Sequence, residues 1–389
     1  MSIYLKNNTK NMETKNGSNC NILLLRTAAL GDFLFAVPAF ALIREKLPNA
    51  HITLMTSIST NSYSRISALK YVEGSNKLPW LKFVVPSLLN TAIIIESLSI
   101  GHFLTLRKEI KKIKPDLTII LPHPNDQPLG IIKKITFLKL IGVNKKIYGS
   151  NLVWLFFRFF KINKEVDTAH KIMGPIHAIS KVPFLMDIDK SKIYFPLKND
   201  ESDLLWAKNF INKHNLFVKK IVAIAPGSIQ PHKKWPKEKY LELIKKLINK
   251  FDIYIIIIGT PDDREVGEYI YENIEEEYKN RIILIAGEIS IQQSAALLKK
   301  CSLIVGNDGG SMHLGAAIGI PVVSIIPGIE KPGSVDPWDN FENSVRINVV
   351  CSPCYSYTYC PMEHKKCMVD IPIELVYSKC EIILQRVFN

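Results

Sequence analysis

A single acid interrupts an otherwise apolar stretch near the start of the chain, LLLRTAALGDFLFAVPAF at residues 23–40. Asp32 follows a predicted buried strand and precedes a predicted helix, and Gly31 before it permits a tight turn. A carboxylate at such a turn is commonly a helix cap. At the carboxyl end of a parallel strand, where such folds bind ligands, it would instead face the binding cleft. These residues alone leave both interpretations open.

A second polar stretch, APGSIQPHKKWP at residues 225–236, also follows a predicted strand. Gly227 allows close approach of the main chain, Ser228 offers a hydroxyl and an amide, and Lys233 and Lys234 bring positive charge. These features suit a phosphate group. The alternative is a polar loop with a solvated lysine pair.

A third stretch, GNDGGSMHLGAAIGIP at residues 306–321, leaves a strand and enters a helix of small residues. Its glycines free main-chain amides, which together with the helix dipole favour a diphosphate at the helix start. His313, one turn in, suits a phosphate oxygen. Asp308 would repel an anion unless it orients the loop, binds a sugar hydroxyl or meets a cation. The alternative is a turn that packs helix against sheet. The spacing is neither GxGxxG nor a P-loop, which disfavours a nicotinamide cofactor.

Acidic residues follow another predicted strand, in GTPDDREVGEYI at residues 259–270. Asp262, Asp263 or Glu265 there would accept hydrogen bonds from ribose hydroxyls. A helix N-terminus enriched in acids explains the stretch equally well.

Four of the seven cysteines form a C-x2-C-x5-C-x6-C array, Cys351, Cys354, Cys360 and Cys367. Four close thiols suit a tetrahedral structural site for zinc or iron, and His364 would be able to replace one thiolate. The alternative is a set of buried or redox-labile free thiols. The other three cysteines are interpreted as ordinary: Cys20, Cys301 and Cys380.

Apolar runs alternate with helical patterns in both halves of the chain, which predicts parallel sheets covered by helices. In the first half the predicted strands are 21–26, 51–56, 91–96 and 116–121, and the predicted helices are 33–47, 98–113 and 128–141. In the second half the predicted strands are 221–225, 253–258, 281–286, 302–306 and 321–326, and the predicted helices are 201–214, 236–250, 262–275, 290–300 and 311–319.

This order predicts an α/β protein with two Rossmann-like, doubly wound domains whose strand ends face a central cleft. We expect a tail over residues 1–20, a first domain over 21–198 and a second domain over 199–389. The second domain includes the cysteine-rich segment 351–367.

The net charge of +14 and the pI near 9.3 predict an anionic partner. Nucleic acid is disfavoured because no nucleic-acid module signature is present. The polar N-terminus lacks the apolar core of a signal peptide, and no run of 18 uncharged apolar residues occurs. With seven cysteines and no export signal, we expect reduced thiols and a cytoplasmic protein.

Four segments together resemble glycosyltransferase family 9, the family of ADP-heptose:lipopolysaccharide heptosyltransferases. They are LLLRTAALGDFLFAVPAFALIREKLPNAHIT, IAPGSIQPHKKWPKEKYLELIKKL, NDGGSMHLGAAIGIPVVSIIPG and the terminal cysteine segment, spread over residues 21–377. The resemblance implies a GT-B architecture, with the acceptor held mainly by the first domain and the nucleotide sugar mainly by the second. It also implies an inverting transfer that needs no metal.

The resemblance also implies roles for single residues. Asp32 matches the acid assigned as general base, and Lys233 matches a lysine that stabilises the leaving diphosphate. Arg26 and Gly31 are placed on the acceptor side. The residues matched to donor binding are Gly227, Ser228, Glu265, Asp308, Gly309, Gly310, Ser311 and His313. Gly309 stands where threonine is common in the family, so a side-chain hydroxyl contact is not expected there.

The implied function is transfer of a heptose or related sugar, with ADP-heptose as donor, to a lipopolysaccharide core or another surface glycan. A lipid-linked acceptor would bring the protein to the inner face of the membrane, where WLFFRFFK at residues 154–161 and the excess of lysines suit docking. Core aromatics explain that segment equally well. The alternatives are a protein-modifying heptosyltransferase, a family member that uses another nucleotide sugar, a GT-B type sugar-nucleotide epimerase, and a non-catalytic binding module.

Overall fold

The computed structural model of the protein describes residues 20–26, 29–57, 67–71, 78–97, 99–122, 126, 128–149, 170–189, 191–217 and 220–388. The predicted tail, apart from Cys20, and the segment 154–161 lie outside these residues. The chain divides into two compact units, Met1–Lys198 and Asn199–Asn389.

The first unit contains a six-stranded sheet in the order β3-β4-β2-β1-β5-β6. Its strands are β1 (Asn21–Leu25), β2 (His51–Ser57), β3 (Ser67–Tyr71), β4 (Thr91–Ser97), β5 (Leu117–Ile120) and β6 (Ile147–Tyr148). All pairs are parallel except β3 with β4, and in the central pair Asn21 lies opposite His51. Its described α-helices are Leu30–Leu34, Val37–Lys46, Ile100–Ile113, Pro128–Leu140 and Met173–Ile179. All four predicted strands are present, and β3 and β6 at the two edges were not predicted.

The predicted helix 33–47 is two helices, Leu30–Leu34 and Val37–Lys46. The break falls just before Pro38, which lies in the first turn of the second helix. Proline has no N–H to donate to the preceding turn, and its ring disfavours helical geometry in the residue before it. The first helix therefore ends early, and the short helix that carries Asp32 is a separate element.

The second unit contains a six-stranded, all-parallel sheet in the order β12-β11-β10-β7-β8-β9. Its strands are β7 (Lys220–Ala225), β8 (Ile253–Ile257), β9 (Ile282–Leu284), β10 (Leu303–Asn307), β11 (Val322–Ile325) and β12 (Ser344–Val345). Its described α-helices are Glu201–Lys213, Lys237–Lys250, Arg264–Asn273, Glu276–Lys279, Ile291–Leu298, Gly310–Ala317, Lys366–Val369 and Ile373–Phe388. The predicted helix starts at Pro236 and Ser290 are confirmed, since each is the N-cap residue of its helix.

The core of the second unit lies between its sheet and two long helices, Lys237–Lys250 and Ile373–Phe388. Alternate residues of the central strands, such as Ile255 and Val305, pack against apolar residues of both helices. The helix Ile373–Phe388 was not predicted. It buries Val376, Cys380, Ile383 and Leu384, a spacing that places one helix face on the core.

Among the helices of the described residues, none combines the length and the apolar character that a membrane span requires.

Candidate functional site

Asp32 lies in the first turn of the helix Leu30–Leu34, three residues after the N-cap residue Ala29. The helix-cap interpretation of Asp32 is therefore wrong, because the N-cap position belongs to another residue. Arg26, just beyond the end of β1, fixes this turn from the other side. Its Nη2 donates to the main-chain oxygen of Asp32 at 2.6 Å, and its Nη1 donates to the carbonyl oxygen of Pro122. Gly31, also in this turn, accepts a hydrogen bond from the Phe35 N–H at 3.3 Å.

The Arg26 guanidinium is buried, with 1% of the residue exposed. Burial lowers the pKa of Arg26 to about 10, and the negative charges of Asp32 and Asp126 oppose this shift. Asp126 in turn accepts two hydrogen bonds from Lys134 Nζ, at 2.6 and 2.7 Å. Burial also lowers the pKa of Lys134, against the charge of Asp126. The ends of β1 and β5 thus carry a mostly buried set of two cations and two acids.

Asp126 and Lys134 were not predicted as part of this site. A signal was present, because Asp126 follows β5 as Asp32 follows β1, and the two strands are neighbours in the sheet. Arg26 was predicted on the acceptor side, and the structure gives its contacts as main-chain oxygens and acids of the first unit.

In the second unit the structure brings together three of the predicted residues. Lys233 Nζ lies 3.4 Å from Asp308 Oδ2, and His313 Nε2 lies 3.6 Å from Asp308 Oδ1. Asp308 and His313 are largely buried, and 20% of the Lys233 side chain is exposed. The carboxylate beside the predicted anion site is therefore paired with a cation, which removes the repulsion that its position in the sequence suggested.

The remaining residues of this stretch begin the helix Gly310–Ala317. Gly309 is its N-cap residue, in extended conformation, and its carbonyl oxygen accepts the Met312 N–H at 3.1 Å. Gly310 and Ser311 are the first two helical residues, whose main-chain N–H groups have no partner one turn earlier within the helix. Such a helix start favours an anion.

Gly227 meets a carboxylate rather than open space. A Cβ atom at this position would lie 2.1 Å from Asp263 Cγ and from Asp263 Oδ1. Asp263 is buried, and its Oδ2 accepts hydrogen bonds from the Thr260 N–H and hydroxyl, both at 2.8 Å. Ser228, the next residue, is partly exposed. Of the acids considered after β8, Asp263 is the one that reaches this loop.

Glu265 is not gathered with the other predicted donor residues. Its side chain is 86% exposed, and its Oε1 forms an ion pair with Lys237 Nζ at 3.9 Å. The sequence does not show which of the acids near this helix start is buried against the loop and which points to solvent.

The cysteine array consists of free thiols that lie near one another. Cys351 Sγ is 3.9 Å from His364 Nε2. Burial raises the pKa of the Cys367 thiol, and the negative charges of the other three array cysteines raise it further. However, within the described residues no group of three or more His, Cys, Asp and Glu side chains is arranged to hold a metal ion. The thiols outside the array that are buried, Cys301 and Cys380, also have raised pKa values because of burial.

Comparison with known proteins gives the family. The family model described as glycosyltransferase family 9 (heptosyltransferase) matches residues 131–366, more than half of the chain. Lipooligosaccharide heptosyltransferase 2 of Campylobacter jejuni serotype O:2 is 29% identical over 171 residues, which cover 43% of this chain and 52% of that protein. The chain thus matches about half the length of that relative. The protein of the same name from serotype O:6 is 25% identical over 90% of this chain and 95% of its own length.

A solved structure shows the same fold. The structure of Escherichia coli ADP-heptose lipopolysaccharide heptosyltransferase II superposes with a TM-score of 0.66 and 18% identity, over 95% of this chain and 100% of that chain. This confirms the predicted α/β class with two Rossmann-like units of the GT-B type. Together with the family match, it also confirms the resemblance drawn from the sequence motifs: the chain belongs to glycosyltransferase family 9.

Proposed function

We propose that this protein is an inverting glycosyltransferase that moves a heptose, or a related sugar, from ADP-heptose to a lipopolysaccharide core or another surface glycan. The observation that carries the proposal is the cluster of Lys233, Asp308 and His313 beside the start of the helix Gly310–Ala317. These residues lie inside the region matched by the family model. The names of the relatives support heptose as the sugar.

The donor side supplies positive charge for a departing diphosphate. When the bond between the anomeric carbon and the phosphate oxygen breaks, negative charge develops on the diphosphate. The Lys233 ammonium and the main-chain N–H groups of Gly310 and Ser311 are suited to stabilise that charge. His313 would hold a phosphate oxygen, and Asp308 would accept a hydrogen bond from a sugar hydroxyl.

The acceptor side supplies the base. We assign Asp32 to take the proton of the acceptor hydroxyl as its oxygen forms a bond to the anomeric carbon. Because the acceptor attacks on the face opposite the leaving diphosphate, the configuration at that carbon inverts. The proton ends on the Asp32 carboxylate, and the electron pair of the broken bond leaves with the diphosphate. In this scheme residues 21–198 hold the acceptor and residues 199–389 hold the donor.

The direct test is transfer by the purified full chain. We expect release of ADP from ADP-heptose and a heptose-mass increase of a lipopolysaccharide core acceptor that lacks heptose, measured by mass spectrometry. A thermal-shift panel of ADP, UDP, GDP and dTDP sugars tests the donor. Stabilisation by UDP sugars without stabilisation by ADP sugars would overturn the heptose assignment. Isomerisation of the donor sugar without any acceptor, and without a heptosylated product, would instead indicate an epimerase.

We further propose a cytoplasmic protein that binds the inner face of the membrane when its acceptor is lipid-linked. The net charge of +14 supports attraction to anionic lipids. Sedimentation with liposomes tests this: we expect pelleting with vesicles that contain anionic lipid and little with neutral vesicles. Equal recovery in the supernatant for both would contradict membrane contact.

The proposed transfer uses no metal, so we expect full activity in the presence of a chelator. A structural zinc or iron at Cys351, Cys354, Cys360 and Cys367 stays a separate prediction. Four nearby thiols support it, although their arrangement in the described residues does not form a ligand set. Metal analysis of the purified protein, beside a variant with Cys354 and Cys367 changed to serine, tests that prediction directly.

A further inference from the structure

Asn307, the last residue of β10, is a buried amide placed directly before Asp308. Only 2% of the residue is exposed. Its Nδ2 donates to the carbonyl oxygen of Pro226 at 2.6 Å, and its Oδ1 accepts the main-chain N–H of Trp235 at 3.0 Å. Both partners are main-chain groups, so one side chain satisfies one acceptor and one donor that would otherwise be buried without a partner.

These two partners are the two ends of one loop. Pro226 directly precedes Gly227 and Ser228, and Trp235 lies two residues after Lys233. The Asn307 amide therefore ties both ends of the loop 226–235 to the strand whose next residue is Asp308. Lys233, within this loop, has its Nζ 3.4 Å from Asp308 Oδ2.

We propose that Asn307 is a positioning residue for the nucleotide-sugar donor. It holds the loop that carries Ser228 and Lys233 at a fixed distance from Asp308 and the helix start after it, and it need not contact the donor. The inference rests on the donor site described under the proposed function. It adds the residue that aligns the loop 226–235 with Asp308 and the start of the helix Gly310–Ala317.

The chemistry of the side chain explains why an amide is required. An amide both donates and accepts, whereas a carboxylate only accepts and an apolar side chain does neither. Trp235 has a second hydrogen bond that does not involve Asn307, because its Nε1 donates to the Ile371 carbonyl oxygen at 3.1 Å. Only 2% of the residue is exposed. Loss of the Asn307 amide is therefore expected to displace the loop while leaving the rest of the unit folded.

The second unit offers a matched control in Asn340, which is also buried. Asn340 Oδ1 accepts the Val322 N–H at 2.9 Å, and its Nδ2 donates to the Trp338 carbonyl oxygen at 3.0 Å. The two asparagines thus make the same kinds of bond. Val322 begins β11, whereas Asn307 ends the parallel neighbour β10. Asn340 therefore binds at the amino ends of these strands, and Asn307 lies at their carboxyl ends.

The experiment compares Asn307→Ala, Asn307→Asp and Asn340→Ala in the full chain, with ADP as the probe in isothermal titration calorimetry. We expect Asn307→Ala to weaken ADP binding about ten- to a hundredfold, the range for a lost buried hydrogen-bond partner. Asn307→Asp keeps the acceptor but sets a carboxylate against the Pro226 oxygen, so it should weaken binding at least as much. Asn340→Ala should lower the melting temperature about as much as Asn307→Ala does, because both variants lose a buried amide. It should leave the ADP affinity unchanged.

In the transfer assay, the Asn307 variants should raise KM for the donor and leave KM for the acceptor at the wild-type value. Wild-type affinity for ADP in Asn307→Ala, or an equal loss in Asn340→Ala, would overturn this inference and leave the proposed function standing. If the wild-type chain binds neither ADP nor any other nucleoside diphosphate, the proposed donor site and this inference fall together.

Discussion

Each unit has a cation after its first strand, and the two cations differ in burial and in hydrogen-bond partners. Arg26 is buried, and its guanidinium donates to two main-chain oxygens. Lys233 keeps a fifth of its side chain exposed, and its ammonium lies 3.4 Å from the nearest carboxylate oxygen. A buried cation that donates to the main chain fixes local geometry, whereas a partly exposed cation in a looser ion pair still has donors to offer an incoming anion. We therefore propose that Arg26 supports the local structure and that Lys233 meets the ligand.

The largest effect is expected at the acid that Arg26 helps to hold. Asp32→Asn keeps the size of the side chain and removes the base, so kcat should fall about 10²- to 10⁴-fold while the chain stays folded. Initial rates of ADP release measure this. Asp116→Asn is the control, because Asp116 lies just before β5, at the amino ends of the strands, whereas Asp32 lies beyond the carboxyl end of β1. Full activity of Asp32→Asn would refute the proposed base.

The next largest effect is expected at Lys233, the partly exposed cation. Lys233→Ala removes one positive group from the proposed diphosphate site, and the loss of such a group costs about 10²- to 10³-fold in kcat. Steady-state rates of Lys233→Ala and of its neighbour Lys234→Ala should differ by that factor. If the two variants are equally impaired, the loop contributes only general positive charge.

The buried cation should behave differently. Arg26→Met leaves the carbonyl oxygens of Asp32 and Pro122 without their donor, so the free energy of unfolding should fall by about 1–3 kcal/mol. Urea denaturation measures it, and kcat should fall as well because the Asp32 turn loses its support.

Arg44→Met is the matched control for Arg26→Met. Arg44 also donates to main-chain oxygens, those of Leu88 at 3.1 Å and of Pro48 and Ala50 at 2.9 and 2.8 Å. It should lower stability and leave kcat intact. A loss of activity in Arg26→Met without any loss of stability would indicate that Arg26 meets the ligand, the role proposed for Lys233.

The smallest effect is expected at Glu265. Its side chain is exposed and 3.9 Å from Lys237, so its ion pair is weak. Glu265→Gln should leave stability and the KM for the donor at wild-type values. A clear rise in donor KM would show that this acid serves the donor.

The strands and most helices follow from the sequence because buried parallel strands are uniformly apolar and helices repeat every 3.6 residues. The edge strands β3, β6 and β12 were not predicted. Strands β6 and β12 are two residues long, which is too short for an apolar run to be recognised. The break before Pro38 was readable from the proline, but the apolar pattern on both sides masked it.

The candidate site divides in the same way. Asp308, Lys233 and His313 were found because glycines and a strand end surround them. The buried positions of Arg26 and Asn307 were not predicted, because their partners are carbonyl and amide groups of the main chain, which every residue carries. Whether Glu265 or Asp263 faces the loop depends on the first turn after β8, which residue types alone do not fix.

The contact between Gly227 and Asp263 has a consequence for how this protein can change. A methyl group at position 227 would overlap the carboxyl group of Asp263, so alanine there requires a smaller or displaced side chain at 263. A smaller side chain at 263 in turn gives up the two hydrogen bonds from Thr260. The two positions, 36 residues apart, are therefore coupled in one direction: any side chain larger than glycine at 227 requires a smaller or displaced side chain at 263.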